Sequence, residues 1–167
     1  NDKMLVYQSS ARNVISPFLE TRDGMIYFGG QHQGKAALCR FDPRTETWMR
    51  YGEKDGIVGE WISQIYEASD GSLWVDSLTG NRGSIRGAGL FGFDGKTWTR
   101  YTTAQGLSHN HIHGLTEWPD GTLWAGTSMG ISRLDISVPI GEQTWSNKVD
   151  FPVSSPKVMN FLPTQDA

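Results

Sequence analysis

The residues with the most chemical potential stand in one short stretch, His109-Asn110-His111-Ile112-His113. Imidazoles at i, i+2 and i+4 of an extended segment point to one side, because side chains alternate across a strand. Two or three of them brought together hold a divalent cation, or supply a general base near neutral pH. A polar, hydrogen-bonded lining needs the same geometry and asks for less. A metal site wants a further ligand from elsewhere, and the aligned stretch Gly59-Glu60-Trp61-Ile62-Ser63 carries no histidine. No catalytic residue, metal ligand or cofactor is therefore assigned, and His109, His111 and His113 are read as lining a ligand site.

A second group surrounds residues 78–88, LTGNRGSIRGA, a Gly-rich insertion carrying Arg82 and Arg86. Their guanidinium forks suit a carboxylate, a sulfate or a sugar acid, whereas the plain reading is a surface loop with two solvated arginines. Asp76 stands just before this insertion, where Gly29 and Gly126 stand in the related segments, and it either orients those arginines or caps the turn. Trp61, aligned with His111, is an aromatic placed to face an opening and stack on a sugar or peptide, or else to pack under the insertion as a rim residue. Glu20, Glu67 and Glu117 invite comparison with paired glycosidase carboxylates. They recur one per repeat beside a turn, on the opposite face from the insertions, and are read as parts of that turn.

Positioning these groups falls to a repeat. Asp70-Gly71 and Asp120-Gly121 are fifty residues apart, as are Trp74 and Trp124, Trp48 and Trp98, Tyr51 and Tyr101. An earlier copy, Phe18, Glu20, Asp23-Gly24 and Tyr27, precedes Ile65, Glu67, Asp70-Gly71 and Trp74 by 47. Each copy has four strand signals: a (VISPFLE, ISQIYEA, IHGLTEW), b (MIYFGG, SLWVDS, TLWAGT), c (ALCRFD, GLFGFD, GISRLD), and d around Trp48, Trp98 or Trp145. Asp-Gly makes the a–b turn, as type I′ or as type I with a glycine bulge. Four strands per period of this length predict an all-β fold, an arc of antiparallel propeller blades whose recurring Tyr27, Trp74 and Trp124 rings pack between blades.

The predicted units are 13–57, 58–107 and 108–152, with the end of a preceding blade in 1–12 and the start of a further one in 153–167. Three blades cannot close a ring, so a larger parent or a second copy is expected to complete the arc. The 167 residues lack an initiator Met and a signal peptide, which suggests a processed or cropped start. A net charge of −3 gives no basic footprint for nucleic acid, and no apolar run is long enough for membrane insertion. Cys39, the single cysteine, fills a strand c position and reads as a small core residue.

The pattern GL-S-H-N-x-I-x-x-L-x-E-x-x-DG-x-LW-x-GT-x-x-GI-x-R-L-D over residues 106–135 resembles the two-component-regulator propeller repeat of bacterial sensor proteins. The middle copy keeps Asp70-Gly71-Ser72-Leu73-Trp74 and Gly89-Leu90-Phe91-Gly92-Phe93-Asp94-Gly95. Departures are Tyr27 for the Trp, and Gly29-Gly30 and Asp76-Ser77 for the Gly-Thr pair. The resemblance implies a periplasmic or extracellular sensing region upstream of a membrane helix and an output domain. The expected function is non-enzymatic sensing or interaction, with a small polar ligand, saccharide or anionic, on the face bearing the long b–c and d–a connections. The alternative is a propeller lyase or hydrolase using the histidines with a divalent cation.

Overall fold

The computed structural model describes residues 17–81 and 83–147. The proposed strand opening at Asn13-Val14-Ile15, the partial blades in 1–12 and 153–167, and Arg82 lie outside the described residues. Among the described residues, eleven strands form three antiparallel sheets. The first runs β1 (Phe18–Glu20), β2 (Ile26–His32), β3 (Lys35–Asp42), β4 (Thr47–Tyr51). The second is β5 (Trp61–Glu67), β6 (Leu73–Thr79), β7 (Arg86–Phe93), β8 (Trp98–Tyr101). The third is β9 (Ile112–Glu117), β10 (Thr122–Thr127), β11 (Gly130–Asp135). These are open blades in sequence order, as the repeat predicts. In the third, the described part of strand d is one antiparallel bridge, Arg133 to Ser146, beside Trp145.

Turn chemistry sets the hairpins. In all three a–b turns the glycine N–H donates three residues back, from Gly24 to Thr21, Gly71 to Ala68 and Gly121 to Trp118. Only the glycine has a positive φ, at 81°, 86° and 79°. That is a type I turn with a glycine bulge, which decides between the two forms the sequence allows. Pro119 sits at the second turn position, which a type I turn favours.

Two apolar layers hold successive sheets together. Tyr27, Leu38, Tyr51, Ile57, Ile62, Val75 and Phe91 are among those filling the first interface. Trp74, Leu90, Tyr101, Leu107, Ile112, Leu123 and Trp145 are among those filling the second. Trp74 is wholly buried, with its Nε1–H on Ser72 Oγ at 2.9 Å. Burying a ring of that size removes roughly 150–250 Å² from water. Cys39 is buried, as its strand c position requires.

The far face of the first blade is aromatic, with Phe18 and Phe28 at 5.9 Å, Phe28 and Trp48 at 6.0 Å, and Phe41 and Trp48 at 4.5 Å between centroids. Phe18 is 66% exposed and Trp48 44%. The register makes Val75, Phe93 and Trp98 the second-blade counterparts of Phe28, Phe41 and Trp48, and these pack against the first blade. No helix among the described residues is long and apolar enough to cross a membrane.

Candidate functional site

Antiparallel order puts the b–c and d–a connections at one end of the sheets and the a–b and c–d turns at the other. At the first end the insertions are mostly strand. β2 and β3 run to His32 and from Lys35, so only Gln33 and Gly34 turn within 31–36. β6 and β7 run to Thr79 and from Arg86, so residues 78–88 form a lengthened hairpin rather than a loose loop. Arg86 opens β7, exposed and paired with Thr79. Trp61 opens β5, half-buried and paired with Leu78 at the root of that hairpin.

The hairpin lies on the histidine stretch. A Cβ on Gly87 would stand 1.8 Å from the Asn110 carbonyl oxygen and 2.3 Å from the His111 Cα, so only glycine admits that approach. His111 and His113 bring their rings to 4.5 Å. His113 Nε2 meets Ser128 Oγ at 2.9 Å. His109 points its Nδ1 back to accept the His111 N–H at 3.0 Å, which places its neutral-form proton on Nε2. Burial holds the His111 pKa below 6.5, helped by the fields of His113 and His109. Among the described residues no three His, Cys, Asp or Glu side chains converge as a metal group. The stretch presents two adjacent imidazoles, His111 and His113, with burial favouring the neutral form of His111.

Asp76 is fully buried in β6 and receives the Ser63 hydroxyl, while its Oδ1 has no hydrogen-bond partner among the described residues. A bulge between Ile62 and Gln64 brings Ser63 across to it. Its hydrogen-bond partner among the described side chains is Ser63 rather than Arg86. Burial raises its pKa well above 3.8, against the lowering effect of Ser63 and the Ser77 backbone.

Sequence reasoning missed two clefts. One, of about 280 Å³, lies at the long-connection end beside the first hairpin, with His32, Lys35, Arg50 and Glu53 in its lining. The other, of about 520 Å³, opens at the opposite end between the first two blades, with Arg22, Tyr27, Arg40, Tyr51 and Glu67 in its lining. A departure from the repeat pattern was the available signal for the second, since Tyr27 replaces the recurring Trp.

The glutamates join blades. Glu67 accepts the Arg22 backbone N–H at 3.0 and 3.3 Å and lies 3.4 Å from that arginine's Nε. Glu117 accepts the Ser69 N–H at 2.6 Å and its hydroxyl. In each case the donor is the second residue of the neighbouring blade's a–b turn. These carboxylates are structural clasps.

Solved structures share the fold. The extracellular domain of hybrid two component system BT3049 from B. thetaiotaomicron aligns over 83% of this chain and 17% of its own, at 22% identity and TM-score 0.58. PorZ, a surface component of the type-IX secretion system of Porphyromonas gingivalis, aligns over 81% of this chain and 20% of its own, at 18% identity and TM-score 0.60. The chain is similar in fold to both and spans a fifth or less of either. No protein-family model matches it, and no curated protein does.

Proposed function

We propose that this chain is a segment of an extracytoplasmic sensing or interaction propeller, and that its long-connection end holds a small polar ligand, saccharide or anionic. The observation carrying this is the contact of Gly87 with Asn110 and His111, which seats the Arg86 hairpin over the His111–His113 pair. A guanidinium on the hairpin offers donors to a carboxylate or sulfate, and the imidazoles of the stretch beneath it add donors and acceptors for sugar hydroxyls. Trp61 at the hairpin root and His109 belong to the same proposed site, together with Arg82, which lies outside the described residues. Asp76 contributes by supporting the strand beneath it. The described relatives support the setting by what they are, an extracellular domain and a bacterial surface component. The exposed Phe18–Trp48 face suits the remainder of a parent propeller or a second copy, and light scattering on the chain distinguishes the latter.

Deleting all of 78–88 would remove buried Leu78 and Ala88, so the test shortens only 80–85 to a two-residue turn. A panel of uronic acids, sulfated sugars and neutral oligosaccharides is titrated against the parent and shortened chains by calorimetry. Saturable binding lost on shortening and in Arg86→Ala with unchanged melting supports the reading. Binding untouched by both changes overturns the site.

A further inference from the structure

The two blade interfaces are built on the same register, and this makes one of them a template for the other. Cross-strand pairs align Tyr27 with Trp74, Arg40 with Gly92 and Tyr51 with Tyr101. In the second interface the long c–d connection of the third blade, residues 136–144, folds into the space beside these groups. Ile140 Cδ1 comes within 3.2 Å of where a Gly92 Cβ would stand. Tyr101 accepts the Gly141 N–H at 2.9 Å and donates to Gln143 Oε1 at 3.0 Å. An extended segment thus fills that site with one side chain and an amide pair on the tyrosine hydroxyl.

In the first interface the corresponding c–d connection is only the short turn 94–97, and among the described residues no segment fills the equivalent space. It is the cleft of about 520 Å³ lined by Tyr27, Arg40 and Tyr51. The Tyr51 hydroxyl has no hydrogen-bond partner among the described residues. Arg40 has no oxygen acceptor there either: Nη2 meets only the Met25 sulfur at 3.1 Å, a weak acceptor, and Nε is buried without a partner. The other charges are already engaged. Arg22 is held by Glu67 and the Ser69 carbonyl, Asp23 by Thr21, the Met25 N–H and, without a hydrogen bond, the field of Arg40, and Asp70 by Ser72.

We infer that the cleft between the first two blades is a docking site for an extended peptide segment. Its single acidic side chain would pair with Arg40, in the place where Ile140 covers Gly92, and its backbone or side-chain amide would bond the Tyr51 hydroxyl. One carboxylate is the fitting number, because Asp23, Glu67 and Asp70 along the rim repel further negative charge. The site lies at the opposite end of the blades from the Arg86 and His111 region and stands independently of the function proposed for that region.

The test uses the full 167-residue chain, labelled for NMR detection of arginine Nε–H and backbone signals. The probe is an acetylated, amidated heptapeptide of the 138–144 sequence, with glutamate at the 140 position and glutamine at the 142 position. The comparison peptide keeps isoleucine at 140. The acidic peptide is expected to give saturable shifts at Arg40 and Tyr51 and to bind about tenfold more tightly than the isoleucine peptide, as one charge-assisted pair supplies. Arg40→Gln is expected to remove that preference, and Arg40→Gly, which copies Gly92, to reverse it. Tyr51→Phe is expected to weaken both peptides. No saturable shift up to about 5 mM, where a Kd in the millimolar range would register, overturns the inference. So does equal binding of the two peptides, or a preference that survives in an Arg40→Gln chain with an unchanged amide spectrum.

Discussion

The Glu117 carboxylate receives the backbone N–H of Ser69 from the neighbouring blade at 2.6 Å, and Glu67 receives that of Arg22 in the same way at 3.0 Å. At the third turn the donor position is Pro119, which has no N–H. The sequence offset of 46 that aligns Phe161 with Leu115 puts Pro163 where the matching glutamate would stand.

Removing one half of such a clasp should leave the other half little to lose. Glu117→Ala is expected to cost about 1–2 kcal/mol, as for a charge-assisted bond at a partly exposed site. Ser69→Pro, whose backbone Pro119 shows to be compatible with this turn, is expected to cost a similar amount. The double variant should cost no more than the larger single change, and urea unfolding of the four proteins measures the coupling. Strict additivity would mean that the two residues do not act as a unit.

Trp74 carries the second interface. It is fully buried, stands edge-on to Trp145 with centroids 5.9 Å apart, and lies 5.6 Å from Tyr101. Trp74→Ala is expected to cost about 3–5 kcal/mol, since the rigid sheets on either side cannot collapse into the space. In an array of so few blades, a loss of that size should bring cooperative unfolding near room temperature, seen as loss of the tryptophan fluorescence transition. A loss below about 1 kcal/mol would refute the role given to this ring.

Tyr101→Phe tests the filled half of the template separately. It leaves the Gly141 N–H and Gln143 Oε1 without their partner, and about 1–2 kcal/mol of stability should go with it. Hydrogen exchange should quicken across residues 136–144 in particular. Tyr51→Phe, whose hydroxyl has no such partner among the described residues, should leave stability and exchange unchanged.

Sequence legibility followed the range of the interaction. Period, strand order and turn positions were readable because Asp-Gly, the recurring Trp and the alternating apolar residues write themselves locally. The turn type needed coordinates, since Asp23-Gly24 suits two forms. Glu67 and Glu117 were placed correctly beside their turns, but their partners are backbone N–H groups of another blade, and a backbone donor leaves no residue signature. The Ser63 partner of Asp76 was not readable because a bulge shifts the register by one residue and delivers it, which no spacing rule anticipates. The length of the third c–d connection was visible in the sequence. Its insertion over Gly92 was a matter of packing between blades.

Asp76 also gives the fold a dependence on pH with a definite sign. Its folded pKa is raised by burial above the ordinary 3.8, so between those two values the folded chain binds a proton that the unfolded chain has released. Stability contributed by this group is then fully present below the unfolded pKa and declines as pH rises toward the folded value, beyond which it levels off. Asp76→Asn removes the titration while keeping an acceptor for the Ser63 hydroxyl. The variant's melting temperature relative to the parent is expected to be lowest near pH 4 and to rise with pH until the folded group is ionised. The check is a melting series from pH 4 to pH 8 in one buffer system at constant ionic strength. A difference that stays flat, or falls with pH, would show that Asp76 is charged in the folded chain and has a partner supplied from outside the described residues.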